Sequence, residues 1–272
     1  MKFARSLAAA LMLALAPVCA SAGQLDVSGD LSGFTSPGNV YGPWRYGTIS
    51  YRDRLGKDSP GLTLVDRSDA DRLNPTHSLA ATLDDYHDWS KKFFTYAAVS
   101  ASAGNVLPTR SLYLEGDVKL GKALTTVIGL GAGVVVNPDG VVQRYINVGP
   151  SVYYGNSNLT LRWLPTFTNG RSGTSSAILS FQNGQQGHFV TTANLIVGSQ
   201  PPGGIAALNT PLNFGQRALA GDVAIRKWTS SRGGFTLGVG AERLSDRTTG
   251  NLIYARRSID VGIFRITGPI AP

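Results

Sequence analysis

The sequence predicts an all-β protein: a transmembrane, up-and-down antiparallel β-barrel of about 12–14 strands, 14 by count, in a single domain. The first observation behind this is a period of two. Leu112, Leu114, Gly116, Val118 and Leu120 alternate with Ser111, Tyr113, Glu115, Asp117 and Lys119, which gives one strand an apolar and a charged face. At 158–167 the pattern returns with its parity reversed: Leu159, Leu161, Trp163 and Phe167 against Asn158, Thr160, Arg162 and Thr166. The second is how short the connections are. Gly121-Lys122, Asn137-Pro138-Asp139-Gly140, Gly155-Asn156, Asn169-Gly170 and Asn183-Gly184 all read as hairpin turns. The third is that no segment past the N-terminal one is long and apolar enough to cross a membrane as a helix. A chain with one face in oil and the other in water then crosses with strands.

A secretory signal opens the chain. Lys2 and Arg5 form its positive region, residues 6–16 its apolar region, and Ala20-Ser21-Ala22 its small-residue cleavage site. Residues 1–22 are thus read as signal peptide and 23–272 as the barrel. The single cysteine, Cys19, lies within the signal, and Ala16-Pro17-Val18 makes a poor lipobox before it. The mature chain therefore offers no disulfide, thiolate nucleophile or cysteine metal site.

Strands are expected at 24–34, 44–54, 61–67, 78–86 and 93–102, five more across 110–183, and then at 189–197, 216–228, 235–244 and 252–266. Ser36-Pro37-Gly38-Asn39 separates the first two, and polar loops fall at 68–75 and, richest in proline and glycine, at 199–214. If the first strand starts in the periplasm, Gly121-Lys122 and Gly155-Asn156 face the periplasm and the long loop faces outward, the usual asymmetry of bacterial barrels. Roughly 250 residues over 14 strands leave about 18 for each strand and turn, enough for a ~10-residue span and a modest loop.

Composition agrees. A mean hydropathy of −0.01 is what two opposite faces average to. The 33 glycines and 15% charged residues suit short turns and small inward side chains better than a helical domain. The net charge of +8, or +6 without Lys2 and Arg5, raises nucleic acid as a partner. Yet the basic residues are scattered singly and no helix is available to enter a groove. Anionic lipopolysaccharide, or an anionic polymer, is the more economical partner for a basic barrel.

Trp44, Tyr51-Arg52, Asp85-Tyr86, Val106-Leu107-Pro108 ahead of a strand holding Glu115, and Tyr153-Tyr154-Gly155 ahead of Leu161-Arg162 occur in that order. The arrangement resembles the YaiO-type outer-membrane β-barrel family over most of the mature chain. The resemblance implies the fold and the location, brings no catalytic residues with it, and suggests a link to surface polysaccharide. The chain departs from the pattern at its end, closing with Thr267-Gly268-Pro269-Ile270-Ala271-Pro272 and not with an aromatic residue, although Gly262, Phe264 and Ile266 still alternate.

Several motifs have structural explanations. Residues 116–122 spell GxxxxGK, but Ala123 stands where a hydroxyl should hold magnesium and no helix follows; a hairpin turn accounts for it. His77, His87 and His188 have no metal-ligand spacing. The pair His77-Ser78 evokes barrel lipid hydrolases, whose serine needs a base to take its proton. Neighbours on one strand point to opposite faces, so these two cannot pair, and His188 with a distant serine is the remaining enzyme arrangement. Asp66, Asp69, Asp71 and Asn74 could offer oxygen ligands to calcium, interrupted by Arg67 and Arg72. No metal or cofactor is expected.

The strongest constellation is Glu115, Asp117, Lys119, Arg162, Asp222, Arg226, Glu242, Arg256 and Asp260, all mid-strand and opposite the apolar ladder. Arginine or lysine facing lipid costs ~2–4 kcal/mol at mid-bilayer, so these residues are expected to line the lumen. They form either an ion-pair network filling it or a path for a polar or anionic solute. Arg243, Arg257 and Arg265 carry the opposite parity, and Arg257 lies well inside its strand. Tyr153, Tyr154, Trp163 and Trp228 read as an interfacial girdle or as sugar platforms.

The leading expectation is a non-enzymatic integral barrel of the outer membrane, assisting export or surface display of a polysaccharide or passing a small polar solute. Its expected partners are outer-membrane lipid and lipopolysaccharide, the barrel-assembly machinery and polysaccharide-export components, without nucleic acid. The alternatives are a hydrolase of lipid or lipopolysaccharide with a His/Ser site, and a soluble secreted β-sandwich or lectin.

Overall fold

The computed structural model describes residues 23–69, 76–168, 171–199 and 216–267. The expected signal peptide, Asp71, Asn74, most of the 199–214 loop and the last five residues lie outside them. Fourteen strands form one closed antiparallel barrel, each paired with its sequence neighbours and β1 closing on β14. They are β1 (Gln24–Thr35), β2 (Trp44–Arg52), β3 (Asp58–Asp69), β4 (Thr76–Asp88), β5 (Phe93–Gly104), β6 (Arg110–Leu120) and β7 (Thr126–Val136). The second half comprises β8 (Val142–Tyr154), β9 (Ser157–Thr168), β10 (Arg171–Gln185), β11 (Phe189–Ser199), β12 (Gln216–Ser230), β13 (Gly233–Asp246) and β14 (Leu252–Ile266). The seam runs unbroken from Gln24↔Ile266 to Thr35↔Ala255. Closure leaves no unpaired strand edge, as hydrocarbon requires.

Most strands run one to three residues longer than the sequence reading has them, and Asn183-Gly184, expected as a turn, lies inside β10, where the ladder to β11 continues through Gly184↔Val190 to Gln185↔Phe189. Two further boundaries differ for a physical reason. β2 ends at Arg52 because Asp53 and Leu55 turn: Asp53 N–H donates to the Pro60 carbonyl at 3.0 Å and Leu55 N–H to that of Asp58 at 2.9 Å. β3 starts at Asp58, ahead of Pro60, because the hairpin continues the ladder through residues whose composition signals a turn. The Ser36-Pro37 cluster forms a single 3-10 turn at Pro37–Asn39.

Orientation follows from the rims. The connections at 53–57, 89–92, 121–125, 155–156, 186–188 and 231–232 share one rim and are short, which marks it as periplasmic. The connection at 36–43 and the strand ends Ser199 and Gln216 belong to the other, outer rim.

Side chains then divide by parity. Leu31, Leu130, Val239 and Ile263 point outward and are 58%, 60%, 58% and 65% exposed, among a belt of similar residues around the wall. An apolar belt of this extent belongs against lipid, which removes the soluble sandwich or lectin. The inward parity holds the packed interior instead. Tyr113, Val135, Tyr145, Leu164, Ile178 and Ile196 form one buried cluster, and Trp44, Ala218, Leu244 and Tyr254 another toward the outer rim. Trp228 also faces inward and is buried, packed on Phe264 at 4.8 Å between centroids. It is therefore not part of an outer girdle, since its even parity on β12 is that of Asp222 and Arg226; Trp163 is outward and Tyr154 sits exposed at the periplasmic rim.

Candidate functional site

The inward residues of β6–β9 show how the sequence builds a charge network. Asp117 on β6, Gly129 on β7 and Gly149 on β8 lie in register, and Arg162 on β9 continues the row. Because β7 carries Gly129, Gly131 and Gly133 on its inward parity, the wall there is a groove without side chains. A Cβ at Gly129 would overlap the Arg162 guanidinium, one at Gly131 the Tyr113 hydroxyl, and one at Gly133 the Tyr145 ring. The groove lets Arg162 lie flat across two strands. Its Nη1 donates to the Gly149 carbonyl at 2.8 Å, and its Nη2 to Glu115 at 2.6 Å and Asp117 at 3.4 Å. Tyr113 donates its hydroxyl proton to Glu115, and Asn147 Nδ2 donates to Glu115 at 3.1 Å and to the Tyr113 oxygen at 2.6 Å. Tyr113 in turn stacks on Tyr145 with 11° between planes. Every charge in this network has a hydrogen-bonded counterpart, the condition under which buried ions are tolerated.

The device recurs on β2–β4. Arg52 and Asp84 face each other across Gly61 and form an ion pair over it; a Cβ at Gly61 would strike both. Arg52 Nη1 also donates to the Ser59 carbonyl at 2.6 Å, and its guanidinium lies 5.1 Å from the centre of the Tyr86 ring. Near the outer rim Arg67 binds Asp69 through two parallel bonds of 2.9 and 3.0 Å and stacks 4.5 Å from the Trp44 ring centre. Beside them Arg256 and Glu242, directly opposed on β14 and β13, are 3.1 Å apart. Phe34, Tyr41, Trp44 and Tyr254 close over this level with ring centroids 4.3–6.5 Å apart.

The third sector, β12 to β1, is less balanced. Arg226 reaches past the Phe264 ring, 4.2 Å from its centre, to pair with Asp26. Asp260 stands opposite Asp30 on the closing pair, and Asp222 lies two strands away. Asp30 accepts a bond from Ser32 at 2.7 Å and Asp222 from Asn194 at 2.9 Å, but none of the three has a cation within ion-pair distance among the described residues.

All nine residues singled out from the sequence occupy inward parity, and Lys119 lies 5.2 Å from the Phe94 ring centre. They do not converge on one point. Glu115, Asp117 and Arg162 form one network, Glu242 and Arg256 another, and Arg226 pairs with a residue outside the set. Asp26, Asp30, Arg52, Arg67, Asp69 and Asp84 share that parity on β1–β4 but were not expected in the lumen, because apolar alternation is weak there. It also passed over the Gly129/Gly131/Gly133 triplet, whose spacing of two on an inward face marks a groove.

The other candidates dissolve. Asp66 and Asp69 fall on opposite faces of β3, where Asp66 meets His77 at 2.6 Å and Asp69 meets Arg67, so they cannot share a calcium ion. Gly116 sits mid-strand and Gly121 opens the β6–β7 turn, so no phosphate loop exists. Ser78 accepts the Val106 and Leu107 N–H groups in the interior while His77 points outward, and His87 meets Asp58 at 2.5 Å. No serine hydroxyl bonds a histidine among the described residues.

Comparison with known proteins agrees with this architecture. The structure of the CymD monoaromatic hydrocarbon channel superposes with a TM-score of 0.62 at 8% identity, covering 92% of this chain and 90% of that one. The Ralstonia pickettii toluene transporter TbuX gives 0.60 at 8% identity over 92% and 90%. The Pseudomonas putida toluene transporter TodX gives 0.56 at 9% over 91% and 90%. Identities this low speak for a shared fold alone. No curated protein matches the sequence. Residues 23–202 match the family model described as the YaiO membrane beta barrel domain. The chain belongs to the YaiO membrane β-barrel family and resides in the bacterial outer membrane.

Proposed function

We propose that this outer-membrane barrel is a non-enzymatic conduit for a small polar solute, which it holds in a charged vestibule at its periplasmic end. The observation that carries this reading is a pair of adjoining cavities of about 340 and 300 Å³ that share Asp26. The larger is lined by Tyr51, Arg52, Asp53 and Asp84, the smaller by Gln182, Thr192, Arg226 and Asp260. Such volumes lie at the small end of ligand sites and suit one sugar or amino acid unit. Arg52–Asp84 and Arg226–Asp26 present both signs side by side, which favours a zwitterion or a polyhydroxylated molecule over a simple ion. Above the vestibule the packed rings of Phe34, Tyr41, Trp44 and Tyr254 narrow the lumen, and their rearrangement is the gating step this reading requires.

A polysaccharide strand needs a continuous bore past Trp44 and Tyr254, each at most 4% exposed. Export of a polymer is therefore the less favoured half of the expectation. Liposome swelling with monosaccharides, amino acids and trisaccharides tests the choice. The monomers should enter, the trisaccharides should not, and Arg52→Ala with Arg226→Ala should change which monomers pass. No swelling and no conductance in planar bilayers, together with lost surface polysaccharide in a deletion strain, would overturn it.

A further inference from the structure

Arg257 lies five residues into β14, yet it points outward, on the parity of Ile259, Val261 and Ile263. It has company. Arg217 on β12 and Arg243 on β13 also point outward and are exposed. In register, Arg217 opposes Ser245 and Arg243 opposes Leu219, while Arg243 opposes Ala255 and Arg257 opposes Ala241. The three arginines are thus successive diagonal neighbours, with Cα atoms ~7–8 Å apart. Gly33 flanks Arg257 on β1, and Arg45 extends the row on β2, opposite Leu31. Beside Arg243 and Arg257 the surface is floored by Ala241, Ala255 and Gly33, so nothing bulky screens the guanidiniums.

The row has a definite height. On β14 the exposed bulky apolar residues Ile259, Val261 and Ile263 lie between Arg257 above and Arg265 below, and on β12 Leu219, Val223 and Ile225 lie between Arg217 above and Lys227 below. Arg217, Arg243 and Arg257 therefore mark the outer edge of the hydrocarbon belt, at the level of outer-leaflet headgroups. From β12 to β2 the outward parity holds no carboxylate among the described residues, and none of the four arginines has an ion-pair partner there. Like charges at this spacing repel unless an anion sits between them. Guanidinium forks match phosphate oxygens in pairs, and several phosphates on one molecule would engage several forks at once.

We propose that Arg217, Arg243 and Arg257, extended by Arg45, form a binding site for the phosphate groups of an outer-leaflet glycolipid carrying two phosphates and several acyl chains. The phosphates engage the arginines, and the acyl chains lie along Leu219, Val239, Ile259 and Val261 directly beneath.

The test is native mass spectrometry of the full barrel folded in detergent, with folding checked by its heat-dependent gel mobility. The probes are bisphosphorylated lipid A, monophosphorylated lipid A, phosphatidylethanolamine and inorganic phosphate. Wild type should retain the bisphosphorylated lipid; the monophosphorylated form should bind several-fold more weakly and phosphatidylethanolamine weakest. Folded Arg243→Gln/Arg257→Gln should lose at least ten-fold in retention, with each single variant in between. Lys227→Gln/Arg265→Gln, at the periplasmic edge, should bind as wild type. Equal retention by the folded double or single arginine variants, or equal loss in the periplasmic control, would overturn the site. Displacement of the lipid by inorganic phosphate at equal concentration would reduce it to a plain anion site and overturn the lipid assignment.

Discussion

Inward and outward arginines of this barrel live by different rules. Arg52, Arg162, Arg226 and Arg256 face the lumen, and each has a carboxylate within ion-pair distance. Two of them reach it only because the strands between carry glycine. Arg45, Arg217, Arg243 and Arg257 face outward and have no such partner among the described residues. Inside, desolvation makes a counter-ion compulsory, and the wall is shaped around the guanidinium. Outside, the cost depends on depth: large at mid-bilayer and small near the headgroups. Parity therefore sorts leucine from glutamate, but for arginine height matters as much as face.

The largest effect should come from breaking the inward rule. Arg162→Ala strips Glu115 and Asp117 of their cation while both stay buried, at 10% and 5% exposure. The expected loss is about 3–5 kcal/mol in urea unfolding of the barrel in lipid. Adding Glu115→Gln and Asp117→Asn should recover part of it, because the uncompensated charge leaves with them. A loss that the added substitutions deepen would mean the network is held by shape and not by charge balance.

Next comes the groove itself. Gly129→Ala puts a Cβ where the Arg162 guanidinium lies, and overpacking of this kind costs ~1–3 kcal/mol. Gly116→Ala, on the outward parity of β6, brings its new carbon no nearer than 3.5 Å to Phe93 and should be close to neutral by the same measurement. Equal effects of the two alanines would refute the groove. A smaller shift is expected for Arg257→Leu. An arginine near the interface costs ~0–1 kcal/mol, so the variant should match or slightly exceed wild-type stability. A clear loss would place Arg257 in a structural contact and blur the contrast between the two faces.

The fold was legible because its signal is a period of two that recurs along the chain, and Leu112–Leu120 alone states the rule. Arg162 and Glu115 were legible as lumen residues by the same rule, but their meeting was not. They are 47 residues apart, and their contact depends on a missing side chain, that of Gly129, on a strand between them. Asp26, Arg52 and Asp84 were overlooked because β1–β4 interleave serine, threonine and glycine with their apolar residues, which weakens the alternation that identifies a face. Arg257, of the opposite parity and well inside its strand, stayed unexplained, since parity carries no information about height. The edge of the belt became visible only once Arg217, Arg243 and Arg257 were brought side by side.

The smallest effect concerns a charge that neither face claims. Asp246 ends β13 at the outer rim, where its carboxylate accepts the Thr249 N–H at 2.7 Å, the Thr249 hydroxyl at 2.9 Å and the Thr248 N–H at 2.9 Å. The Thr249 bonds, backbone first, stabilise the ionised form and hold this carboxyl below its ordinary value. A depressed folded-state value contributes stability above the unfolded value of ~3.9, and that contribution fades as pH falls through the folded one. The β13–β14 turn should accordingly loosen on acidification below about pH 4. Amide protection at Thr248 and Thr249, taken against the unstructured exchange rate at each pH, should fall there, and Asp246→Asn should show weaker protection already at neutral pH with little dependence on acid. Protection that stays constant in wild type through that window would show the turn to be fixed by its backbone, through the Gly250 N–H to Asp246 carbonyl bond of 3.0 Å, and not by the carboxylate.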